Sequence, residues 1–188
     1  MRTVSPAALA VVAATAWLAA CGQMPSRPAE MAPTFSQEGL PEAVRVPAGH
    51  RVAMETVGIG EITYECRAKA GTPDAFEWAF VGPMAQLRSR TGAEVGRYWG
   101  PPATWASSDG SAITGTQVAV APAAAGSIAL QLVKAGPATG AGAMSGVAYV
   151  QRVATQGGVA PAKGCDATAA GRKEIVKYQA DYIFWKAS

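Results

Sequence analysis

Two hydropathy patterns divide the chain. Val4 to Ala20 is a nearly unbroken apolar run, interrupted by Ser5, Pro6 and Thr15. From about residue 50 onward, apolar and polar positions alternate instead. In Glu61-Ile62-Thr63-Tyr64-Glu65-Cys66-Arg67, the residues Ile62, Tyr64 and Cys66 share one face, the period-2 signature of a half-buried strand. Phe76, Trp78 and Phe80 repeat it until Gly82-Pro83, which reads as a stop. Val118 and Val120, Ile128 to Val133, Gly146 to Val153 and Tyr178 to Phe184 predict further strands, and Val52, Met54 and Thr56 predict the first. Gly and Pro separate the runs at 71–73, 100–102, 136–137 and 157–158. Strands this short and frequent predict an all-β domain, a mainly antiparallel sandwich or barrel-like fold, with at most one or two short helices. Met84 to Arg90 could supply one or two helical turns.

Composition agrees with that reading. The 188 residues hold 21 Gly and 13 Pro, and a hydrophobic content of 49% gives a sizeable core. Length predicts one domain. Charged residues make up 15%, against about 25% in an average globular chain. The formal charge of +3 is spread without basic runs, so no nucleic-acid partner is expected.

The apolar run near the start follows Arg2 and is short for a membrane span, which needs about 20 residues. It has the form of an export signal. An ordinary cut after Ala20 would place Leu18 where a small residue belongs. Leu18-Ala19-Ala20-Cys21 instead resembles the lipobox of bacterial lipoproteins, which implies a lipid on the Cys21 thiol and removal of residues 1–20. Several acyl chains meet the requirement for stable anchoring. Gly22, rather than Asp, after the Cys leans towards the outer membrane, with the protein facing the periplasm. Residues 21–40, rich in Pro, Ser and Ala, read as a flexible tether, and residues 41–188 as a single β domain.

Two cysteines remain, Cys66 and Cys165. Neither has a second Cys or His nearby, so their spacing is not that of a metal site, and in an exported protein they are most simply a disulfide. The one His, His50, rules out a His-rich metal centre and reads as a turn or strand-edge residue. Gly136 to Gly146 lacks the Lys-Ser/Thr of a phosphate loop and reads as a hairpin connection. No cofactor and no metal are expected. Arg97-Tyr98-Trp99-Gly100-Pro101-Pro102-Ala103-Thr104-Trp105 is the densest aromatic segment. Tyr98, Trp99 and Trp105 are candidate ligand contacts, because aromatics on a loop can stack on planar ligands; the alternative is that the indoles plug one end of the fold. Asp109 is a fourth candidate, although Ser108-Asp109-Gly110-Ser111 is also a good turn in which Asp binds its own backbone. Arg152 lies in an otherwise apolar strand and is expected to point outward or to pair with an acid such as Asp181.

Several segments together resemble a bacterial and fungal secreted family catalogued as domain of unknown function 3455. They are Ile62 to Cys66, Trp105 to Ser111, Tyr149 to Pro161, Cys165-Asp166 and Tyr178 to Phe184, in the family's order. The block Gln151-Arg152-Val153 followed by Gly157-Gly158-Val159-Ala160-Pro161 is the most specific. The family often has a His before its Gly-Pro-Thr-Trp-like stretch; Arg97-Tyr98-Trp99 stands there in this chain. The resemblance implies a secreted, mostly β domain and the two-cysteine staple, and brings no activity. The expected function is a non-catalytic envelope lipoprotein that binds a small molecule, a glycan or another envelope protein. The alternatives are a carboxylate-dependent extracytoplasmic hydrolase, with Asp109 as general acid or base and Arg152 as its electrostatic partner, and a purely structural envelope protein.

Overall fold

The computed structural model describes Met1 and residues 35–188. The expected leader, the expected lipid site Cys21 and the expected tether up to residue 34 lie outside the described residues. The fold is all-β: eight antiparallel strands in sequence order close into a barrel. They are β1 (His50–Lys69), β2 (Thr72–Arg88), β3 (Glu94–Trp99), β4 (Thr104–Ser107), β5 (Ala112–Ala121), β6 (Leu130–Ala135), β7 (Val147–Gly157) and β8 (Lys173–Ala187). The only helical pieces among the described residues are two 3-10 turns, at Glu42–Val44 and Ala167–Ala169. Each strand pairs with the next, and β8 returns to β1 in a register running from His50 opposite Ala187 to Glu65 opposite Lys173. The return of the last strand to the first closes the ring, which resolves the sandwich-or-barrel alternative.

Two local readings change. Met84–Arg90 is not helical: Met84 to Arg88 end β2, which runs straight through Gly82-Pro83. The register slips by one residue opposite Thr63 and Tyr64, so Val81 is the extra residue of a bulge and the strand continues beyond it. The segment around Tyr98 to Trp105 is not one loop. Its ends are β3 and β4, joined by a turn through cis Pro101 and cis Pro102.

Alternation sorts the side chains into a lumen and an outer wall. Ile62, Tyr64, Leu87, Tyr98, Trp105, Ile113, Val133, Val150, Tyr178, Tyr182 and Phe184 fill the interior. A second core lies outside the wall. Val44 and Val46 bury against Ala121, Leu132, Val153, Ile183 and Trp185, with Phe35 and Leu40 packed alongside. Phe35 to Leu40, at the end of the stretch read as tether, therefore lie on the barrel as a strap. Gln151, fully buried under it, donates to the Val44 carbonyl at 2.6 Å and accepts from the Trp185 indole at 2.8 Å. Such complete pairing is what allows a buried amide.

Cys66 and Cys165 form a disulfide across 99 residues, with a Cα–Cα distance of 5.3 Å. It holds the β7–β8 connection against β1. The Trp78 indole donates to the Lys163 carbonyl at 3.1 Å, and Arg172 lies 5.4 Å over the Trp78 ring, fixing the same connection to β2.

Candidate functional site

Register places an aromatic stack in the lumen. Tyr98 is directly opposite Trp105, and their rings stack with centroids 4.7 Å apart. Tyr182 packs 5.0 Å from Tyr98 and 6.0 Å from Trp105. Two glycines make room for the rings. A Cβ on Gly58 would stand 2.5 Å from the Tyr182 ring, and one on Gly115 would run into Val133 and come within 3.0 Å of Trp105. Trp105 is 1% exposed, and its Nε1 has no hydrogen-bond partner among the described residues.

One end of the barrel is closed by a latch. Asp109 accepts from the Ser111 amide at 2.9 Å and hydroxyl at 2.6 Å, and from the Ala143 amide at 2.7 Å. Ser111 in turn accepts from the Met144 amide at 3.1 Å, which seats Met144 as a fully buried plug. A Cβ on Gly142 would stand 2.5 Å from the Asp109 carboxylate, so glycine is required for this approach. The hydrogen bond from the Ser111 hydroxyl, with those from the Ala143 and Ser111 amides, holds the Asp109 carboxyl well below the usual carboxylate range. A carboxylate held ionised in this way has no proton to donate as a general acid at neutral pH.

The other end is open. A cavity of about 320 Å³ lies there, walled by Phe80, Pro83, Tyr98, Pro101, Val133 and the amides of Gln117 and Gln131. Arg152 enters it from β7, between Gln131 of β6 and Tyr182 of β8. Its Nε and Nη2 donate to the Ala129 carbonyl at 3.2 and 3.0 Å. Among the described residues it pairs with no acid, and it is the only charged side chain lining the cavity. Burial pushes the phenols of Tyr64, Tyr98, Tyr178 and Tyr182 upward, and the positive charge of Arg152 pulls each the other way. The strand bulges two residues further on, where Ala154 adopts a φ of 48°. Bulges are over-represented beside functional sites because they re-aim a strand.

Tyr98 and Trp105 thus share the lumen, and Tyr98 also reaches the cavity. Trp99 faces outward, where it lines a shallow groove of about 630 Å³ with Met84 and Arg97. A neighbouring groove of about 620 Å³ runs past Met84 towards Ile59 and Lys177. Asp109 belongs to the closed end, bonded to Ser111 and Ala143 rather than to Arg152. His50 opens β1, with Nδ1 3.0 Å from the Pro47 carbonyl and its ring edge-on to Tyr149. Arg152 is a correction: Asp181 pairs instead with Arg90 at 2.7 Å, and Arg152 turns inward. Gln117, Gln131 and Phe80 were not anticipated. Parity carried the missing signal, since Arg152 shares a face with the buried Val150, and Gln131 with the buried Val133. Among the described residues, no three His, Cys, Asp or Glu side chains cluster so as to hold a metal ion.

A family model described as "Protein of unknown function (DUF3455)" matches residues 47–186. No curated protein and no solved structure matches the chain.

Proposed function

From the premise that the chain belongs to the DUF3455 family, which carries no stated activity, we propose that it is a non-catalytic, lipid-anchored envelope protein that binds a small molecule in the open mouth of its barrel. The observation that carries the binding reading is Arg152, a cation without an acid partner among the described residues, turned into a cavity of about 320 Å³. A barrel of eight strands is wide enough to fill with side chains or to hold one small ligand. Here the aromatic stack fills the middle and leaves space at one end. The anchor rests on Leu18-Ala19-Ala20-Cys21: a diacylglycerol on Cys21 would hold the domain at a bacterial membrane, in our reading the periplasmic face of the outer membrane.

Two measurements test this. Titrating the isotopically labelled full chain with phenylacetamide, a neutral probe, should shift the amides of Phe80, Gln117, Gln131 and Arg152. No shift at the mouth with either phenylacetamide or its acid, phenylacetate, overturns the cavity reading. Intact mass of the membrane-extracted protein should give an acylated chain starting at Cys21; an unmodified chain starting elsewhere overturns the anchor. A second reading, docking of another envelope protein, is favoured by Met84 and Trp99, which are 73% and 40% exposed on one outer groove. Shifts confined to that groove would support it.

A further inference from the structure

Resting on the cavity reading above, we infer that the barrel mouth is selective for small monocarboxylates with an apolar body. The guanidinium has two bidentate edges. The Ala129 carbonyl occupies the one formed by Nε and Nη2. The edge formed by Nη1 and Nη2 has no partner among the described residues, and it has the fork geometry that matches a carboxylate. A cation drawn into a half-buried position without an anion is under-compensated, and a bound carboxylate removes that deficit.

The remaining walls define the body of the ligand. Phe80, Pro83, Pro101 and Val133 offer apolar surface, and among the described residues no acid lines the cavity, so a cationic group would find only Arg152. The Gln131 amide donates to Gln117 at 2.6 Å, which ties the two polar walls to each other. Size sets the limit. At about 30 Å³ per water-sized group, a cavity of about 320 Å³ holds on the order of ten non-hydrogen atoms. A disaccharide or a nucleotide would protrude from it. A medium-chain fatty acid or an arylacetic acid fits it, with the charged head at Arg152 and the tail against Phe80 and Pro101.

The test compares phenylacetate with phenylacetamide on the full chain by titration calorimetry. The pair shares its ring and size and differs in charge. Phenylacetate should bind about tenfold tighter or more. Arg152→Gln should bring the ratio to about one. Arg152→Lys, which keeps the charge and loses the fork, should fall between the two. Equal binding of acid and amide by the unaltered chain overturns the anion selectivity and leaves the cavity reading standing. Inorganic phosphate competing as well as phenylacetate overturns the requirement for an apolar body. Binding of neither organic probe removes both readings. The acid-to-amide comparison needs no variant, so it decides the matter even where Arg152→Gln fails to fold.

Discussion

Trp105 separates two physical effects that a buried indole usually mixes. Replacing it by Ala removes a ring that is 1% exposed and stacked 4.7 Å from Tyr98. Such truncations cost about 3–5 kcal/mol. Replacing it by Phe is different, because the Trp105 Nε1 proton has no acceptor among the described residues. A smaller ring leaves a cavity of about 40 Å³, which at about 24 cal/mol per Å³ costs about 1 kcal/mol, and the lost burial of the removed atoms costs about 1 kcal/mol more. Removing an unsatisfied buried donor recovers about 1–3 kcal/mol, and the aromatic contact with Tyr98 is kept. Trp105→Phe should therefore stay within about 1 kcal/mol of the unaltered chain. The assay is urea unfolding of the disulfide-intact chain followed by far-ultraviolet circular dichroism, which does not depend on the indole. A shift in midpoint at constant slope reports stability alone. A Phe variant that loses about as much as the Ala variant, ~3 kcal/mol or more, would refute the argument that the N–H is orphaned.

Two further expectations concern the barrel ends. Replacing Cys66 and Cys165 together by Ser should lower stability by about 2–5 kcal/mol, since the bond closes a 99-residue separation; hydrogen exchange should place the largest loss of protection in the β7–β8 connection, and unchanged protection there would count against the staple. Asp109, whose carboxyl is held low when folded, contributes stability that is present above its ordinary value of about 3.9 and is lost as pH falls through the depressed folded value. Asp109→Asn should therefore lower stability at neutral pH and flatten its decline in acid, as read from thermal midpoints between pH 7 and pH 2; an unchanged acid limb would show that the latch is not titrating.

How far the sequence carried the fold depended on what each face of a strand meets. Ile62, Tyr64 and Cys66 alternate with polar residues because the outer face of β1 there meets water, so the pattern is legible. β6 is apolar on both faces because Leu130 and Leu132 lie under the strap while Val133 points into the lumen, so its inward side is ambiguous. β4 is four residues long, below the length at which alternation can be counted. Val52 to Thr56 and Glu61 to Arg67 read as two strands, with Gly58 and Gly60 between them. In the barrel the two glycines are interior positions of one long strand, emptied of side chains so that Tyr182 and Ala85 can pass close by. Closure is a tertiary fact, since a sandwich and a barrel share the same period. Of the site, the aromatic segment was visible as chemistry, but which rings face inward follows from register alone. Arg152 was visible as an odd charge, and only its parity with Val150 assigns it to the cavity.

The pairing of β1 with β8 ties barrel completion to the order in which the chain is made. β1 emerges first, with a hydrogen-bonding edge from His50 to Glu65 whose partner is the last segment to appear, Lys173–Ala187. Until that segment arrives, both β1 and β7 present open edges capable of adding a foreign strand. A meander of neighbours can form early, but the ring forms only at the end, across the longest sequence separation in the domain. Such non-local closure is slow, because loop entropy is lost before the contacts repay it. A chain truncated before Lys173 would leave a seven-stranded open sheet, and the hazard would be aggregation before closure rather than loss of the finished barrel.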